Sequence, residues 1–137
     1  MTLTIHATTV AIGTRGVLIT GPSGAGKSDL ALRLIDRGAV LVADDRTRLE
    51  VQGDRLIASP PATIAGLIEV RGIGVVPLPH VGAARVVLAV DLSAIVVRMP
   101  EPAFRSFAEL SVPLLVLNPF EASAALKVEL ALKVLAA

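Results

Sequence analysis

The chain has 137 residues, 53% apolar, 18% charged and only 2% aromatic, with a formal net charge of +1. That length suits one domain with an aliphatic core, and near-neutrality gives no electrostatic reason to expect nucleic acid or an acidic membrane as partner. The absence of cysteine excludes disulfides and thiolate metal sites.

Residues 3–12 are β-prone and partly alternating, and Gly13 to Gly16 form a turn. Val17 to Thr20 is a short apolar strand running into a glycine-rich loop, Gly21 to Ser28. From Lys27 to Arg37 the period changes, with Leu30, Ala31, Leu34 and Ile35 on one helical face and Gly38 at the expected stop. Val40 to Ala43 is a second buried strand ending in Asp44-Asp45. Strand, helix and strand in this order predict a right-handed βαβ unit if the two strands are parallel.

Thr47 to Val51 and Leu56 to Ala58 predict a hairpin around Gly53-Asp54. A loop at Ser59-Pro60-Pro61 precedes a glycine-punctuated segment, Leu67 to Leu78. Strands are expected at 85–91 and 94–98, then a Pro-rich connection and a strand at 114–117. The apolar stretch between Arg85 and Arg98 is broken by Asp91 and falls short of the roughly 20 residues a spanning helix needs. No basic leader with a cleavable apolar segment precedes the glycine loop, so a cytoplasmic protein is expected. The final helix is predicted to begin with Asn118 as cap, Pro119 in the first turn and Glu121 completing a capping box. Phe120, Ala124, Val128, Ala131 and Leu135 share its inner face, and Glu129 pairs with Lys133 outside it. The expected architecture is a single α/β domain over residues 1–137, a central mixed sheet flanked by helices, with no separate N-terminal domain.

Gly21-Pro22-Ser23-Gly24-Ala25-Gly26-Lys27-Ser28 matches G-x-x-x-x-G-K-S in full, between a strand and a helix as that motif requires. The glycines let backbone N–H groups turn inward around an anion, and the helix start adds the positive end of its dipole. Lys27 supplies charge for the outer phosphates of a nucleoside triphosphate, and the Ser28 hydroxyl can ligate Mg²⁺. Asp44 and Asp45 emerge at the end of an apolar strand, on the sheet edge where α/β ligands sit. One such carboxylate can hold Mg²⁺ or take a proton from an attacking hydroxyl; taken alone, a turn or a cap explains the pair equally well. Glu69 and Arg71 lie among glycines, where a surface salt bridge competes with a ligand contact. His6 and Arg98 are unremarkable by spacing alone.

Taken together these blocks resemble the catalytic domain of bacterial HPr kinase/phosphorylase. Gly16 to Ser28 looks like that family's strand and P-loop. Arg37-Gly38 with Leu41 to Asp45 resembles its R-G-x-x-L-V-A-D-D stretch, and Glu69 to Val75 is similar to its E-I-R-G-L-G-I signature. The resemblance implies a serine kinase that moves the γ-phosphate of ATP to HPr or an HPr-like phosphocarrier of the phosphotransferase system. In many members the same site reverses the transfer by phosphorolysis, and the family assembles as a hexamer. Carried over, Lys27 binds phosphates and Ser28 and Glu69 bind Mg²⁺, with Asp44 beside them. Asp45 is the base, His6 the catalytic-site histidine and Arg98 the later active-site arginine. The segment tied to dephosphorylation is not recognisable around Leu115 to Ser123, so kinase activity is the expectation that carries over. Rival readings are a P-loop kinase for a small metabolite and a nucleotide-sensing module with little turnover.

Overall fold

The computed structural model describes residues 2–136. Its strands are β1 (Thr2–Ile12), β2 (Arg15–Thr20), β3 (Val40–Ala43), β4 (Arg46–Gln52), β5 (Arg55–Ser59), β6 (Leu67–Val70), β7 (Gly74–Pro77), β8 (Ala84–Asp91), β9 (Ala103–Phe107) and β10 (Leu110–Val116). Two helices complete the described residues, α1 (Lys27–Asp36) and α2 (Ala124–Ala136). The main mixed sheet runs β3-β1-β2-β8-β10-β9, with β2, β8 and β10 mutually parallel and β1 and β9 antiparallel to their neighbours.

β2, α1 and β3 do form a crossover between parallel strands, but β1 lies between the two strands and pairs antiparallel with both. The first half of β1, Thr2 to His6, pairs with β4 instead, and β4 and β5 belong to the same eight-stranded sheet. The β4–β5 hairpin turns at Gly53, whose φ of 65° suits glycine, and β5 closes onto the start of β8. At that closure β2 and β8 approach so tightly that a Cβ on Gly16 would stand 2.7 Å from the Arg85 carbonyl oxygen, beside a break in register.

Two cores result. On one face of the sheet α1 and α2 bury Leu30, Leu34, Val128 and Leu132 against Val17, Ile19, Leu88 and Val90. On the other, the hairpin buries Leu49 and Leu56 against Leu18, Val42 and Ala89. Truncating a side chain such as Leu30, fully buried, would cost about 2–5 kcal/mol. No helix among the described residues is long and apolar enough to cross a membrane.

Three local expectations change. Residues 94–98 form no strand: Asp91 turns the chain through Ser93, and Ile95 and Val97 stand 90% and 59% exposed. The sheet edge is built instead by β9, inside what reads as a Pro-rich connection. The last helix starts at Ala124, because Asn118 caps a turn by accepting the Phe120 amide at 3.0 Å. Phe120 accordingly lies 77% exposed outside the helix. Glu129 pairs with Arg37 at 2.8 Å, tying α2 to the end of α1, and Glu121 pairs with Lys127 at 2.7 Å.

Candidate active site

Because β2, β8 and β10 are parallel, their C-terminal ends share one edge, and β3, parallel to β2 across β1, ends there too. Every polar cluster described below sits along this edge, where α/β folds bind ligands.

The glycine loop turns from β2 into α1 through Gly24 (φ 83°) and Gly26 (φ 100°). At Gly26 a side chain is doubly excluded, since a Cβ there would also lie 3.2 Å from Pro119 Cγ. Gly26 is the N-cap of α1 and offers no side-chain cap, so the first N–H groups of the helix keep their capacity for an anion. Lys27 is buried, with 9% exposure. Its ammonium donates to the Gly21 and Pro22 carbonyls at 2.8 and 3.1 Å and pairs with no carboxylate among the described residues. A buried ammonium held only by neutral carbonyls is suited to an anionic ligand.

Beside it, Asp44 is 4% exposed at the end of β3. Its Oδ1 accepts from the Ser28 hydroxyl at 2.6 Å and the Thr8 hydroxyl at 2.9 Å, and its Oδ2 accepts from the Glu69 amide at 2.8 Å. These bonds draw α1, β1, β3 and β6 to one carboxylate. All three donors are neutral, so among the described residues Asp44, like Lys27, has no oppositely charged side-chain partner. Among the described residues no three His, Asp or Glu side chains cluster as a metal cage. A hydroxyl and a carboxylate oxygen in contact nevertheless fit Mg²⁺, which keeps several waters and takes few protein ligands beside substrate phosphates.

Asp45 differs sharply from its neighbour. It is exposed, has a φ of 67°, and its carbonyl accepts the Ala7 amide at 3.1 Å. That bond sets Asp45 against β1 next to His6, which is exposed and opposite Arg46 in register. Positive φ in a non-glycine residue is a strained placement that local structure must hold. Glu69 is exposed on β6 with its backbone on Asp44. Arg98 lies in the exposed segment between β8 and β9, and Arg71 in the exposed turn between β6 and β7.

Sequence reading missed a second carboxylate node. Asp91 ends β8 beside Thr20, the residue before the glycine loop, and is 3% exposed. Arg105 reaches from β9 to Asp91 Oδ2 at 2.8 Å and to the Thr20 hydroxyl at 3.1 Å. Burial pushes the Asp91 carboxyl up, but hydrogen bonds from the Ser93 hydroxyl and amide, with the Arg105 guanidinium, outweigh it and hold the group below the usual carboxylate range. The signal was present: like Asp44, Asp91 closes an apolar strand.

An α/β domain built on a strand–glycine loop–helix unit, with a buried lysine and a buried aspartate side by side, is the class that this fold and edge define. More narrowly, residues 1–109 match the HPr Serine kinase C-terminal domain, and the chain belongs to that family. It is 37% identical over 97 residues to the HPr kinase/phosphorylase of Clostridium tetani, covering 71% of this chain and 32% of that protein. The chain thus spans about a third of the length of that curated relative. The structure of the HPr(Ser) kinase/phosphatase from Coxiella burnetii superposes with a TM-score of 0.82 at 29% identity, covering 96% of this chain and 94% of that one.

Proposed function

We propose that this domain is the catalytic unit of an ATP- and Mg²⁺-dependent protein-serine kinase acting on an HPr-type phosphocarrier of the cytoplasm. The observation that carries the reading is a pair of buried charges at one sheet edge, the Lys27 ammonium and the Asp44 carboxylate, neither with an oppositely charged side-chain partner among the described residues. A triphosphate with its metal completes both. Family membership and the names of the Clostridium tetani and Coxiella burnetii relatives supply the carrier.

In this mechanism the loop amides and the α1 start cradle the phosphates, and Lys27 leaves its carbonyls for the outer ones. Ser28, Asp44 and Glu69 would hold Mg²⁺, whose chemistry would be to neutralise charge on the phosphate oxygens. Asp45, exposed where Asp44 is saturated, orients the carrier serine and accepts its proton as the hydroxyl oxygen bonds the γ-phosphorus and ADP leaves. His6 precedes Ala7, whose amide holds the Asp45 carbonyl, and from there would serve the same acceptor. Arg98 would have to reach this edge from its exposed segment.

The test is intact-mass analysis of HPr-type carriers incubated with the protein and Mg-ATP, with Asp45→Asn in parallel. One phosphate gained on a serine with the wild type, and none with the variant, is expected. A protein that binds ATP yet modifies no such carrier would overturn the proposal in favour of a small-molecule acceptor. Added inorganic phosphate then reads whether the same site runs in reverse.

A further inference from the structure

Phe120 is one of three aromatic residues in the chain and is 77% exposed. A single wet apolar side chain is ordinary. This one is unusual in how firmly its backbone is held. Arg33 of α1 donates to the carbonyls of Pro119 and Glu121, the residues on either side of it. The Phe120 amide donates to Asn118 Oδ1, and the Glu121 carboxylate pairs with Lys127. Pro119 is buried against the glycine loop, and a Cβ on Gly26 would stand 3.7 Å from Phe120 Cε1. The backbone that carries the phenyl ring is therefore held at the edge of the phosphate loop, and the ring keeps most of its surface in water.

The order of the strands says which part of a nucleotide would meet it. β2 and its loop are central; Asp44 and Asp45 end β3 on one side, while the Phe120 turn follows β10 on the other, beyond β8. A triphosphate whose transferred end faces the two aspartates must extend its nucleoside the opposite way, across the start of α1. We propose that Phe120 is the nucleobase platform of this site, its exposed face stacking on the purine ring. The inference rests on the phosphate-loop reading above and adds the base-binding wall to it. Phe120 lies beyond residues 1–109 matched by the family model, so the assignment comes from this chain's own geometry.

Stacking tolerates any base because every base has a π-face, so ATP and GTP should respond alike. Phe120→Ala should weaken binding of both about tenfold to hundredfold while leaving magnesium tripolyphosphate, which has no base, at wild-type affinity. Phe120→Trp should keep nucleotide affinity. Because the chain contains no Trp and no Tyr, its fluorescence would report one position, quenched by Mg-ATP and unchanged by Mg-tripolyphosphate. Unaltered ATP affinity in Phe120→Ala would overturn the inference, including the case in which carrier phosphorylation alone falls because the ring faces the carrier. An equal loss for ATP and tripolyphosphate would overturn it too, since the turn would then merely shape the phosphate loop. Failure of the wild type to bind tripolyphosphate, with Lys27→Ala no different, would instead remove the phosphate-loop reading beneath it.

Discussion

Asp44 and Asp91 close two strands at the same sheet edge, each almost fully buried and each accepting three hydrogen bonds. Their donors differ in charge. Asp91 has the Arg105 guanidinium, and the pair is complete as it stands. Asp44 has two hydroxyls and an amide, and the nearby buried cation, Lys27, is spent on backbone carbonyls. A buried charge left without its opposite is costly, and folds keep such groups where a ligand supplies the missing partner. Asp91 therefore reads as a carboxylate that holds the sheet edge together, and Asp44 as the one proposed above to work with a ligand.

The largest expected effect lies on neither buried group but on exposed Asp45. Its removal as a base should lower phosphoryl transfer about 10²–10⁴-fold with nucleotide affinity retained; a rate near wild type for Asp45→Asn would return the base role to another group. Lys27→Ala comes next. Losing a charged hydrogen bond to phosphate should weaken Mg-ATP binding roughly ten- to a hundredfold, read by calorimetric titration. Unchanged affinity would mean that Lys27 does not bind the nucleotide's phosphates.

The elements that carry both residues were legible in the sequence, for a physical reason, whereas the choice of Asp45 over Asp44 as base came only from the family resemblance. The glycine loop works through backbone geometry, which a short contiguous motif specifies, and the strand-then-aspartate pattern is equally local. The mixed α/β architecture, the 46–52 and 55–59 hairpin and α1 were readable from period and turn residues for the same reason. What escaped depends on contacts distant in the chain. Arg105 meets Asp91 only because β9 doubles back on β10. Thr8 reaches Asp44 only because β1 inserts between β2 and β3. The capping pattern at Asn118 was a true local signal that tertiary packing overrode, since Arg33 and Gly26 hold Pro119 in a turn.

A stability contrast would sharpen the comparison of the two aspartates. Asp91→Asn removes the partner of Arg105, whose side chain is 37% exposed, so solvent softens the loss to about 2 kcal/mol. That should lower Tm by roughly 6 °C. Asp44→Asn keeps neutral donors and, without ligand, should cost about half as much, but it should abolish most of the Tm rise that Mg-ATP gives the wild type. Equal losses, with ligand stabilisation intact in both, would break the distinction. The pH dependence has a definite sign. Asp91 is held below its ordinary range, so its contribution is complete above the unfolded carboxylate value and is lost as pH falls through the lower folded one. The stability gap between wild type and Asp91→Asn should be widest near neutrality and close in acid, as urea melts across pH would read.

The smallest effect belongs to Glu69, which touches Asp44 through its backbone amide while its carboxylate stays exposed. Glu69→Gln preserves that amide, the fold of β6 and the donor to Asp44, so any change must come from the side chain's charge. If that charge helps hold Mg²⁺, transfer should need several times more magnesium to reach half its maximal rate, since Mg²⁺ prefers carboxylate to neutral amide oxygen. The maximal rate itself should change little, because Ser28 and Asp44 still ligate. An unshifted magnesium curve would leave Glu69 with only its backbone role, and Mg²⁺ would then be held by Ser28, Asp44 and the nucleotide alone.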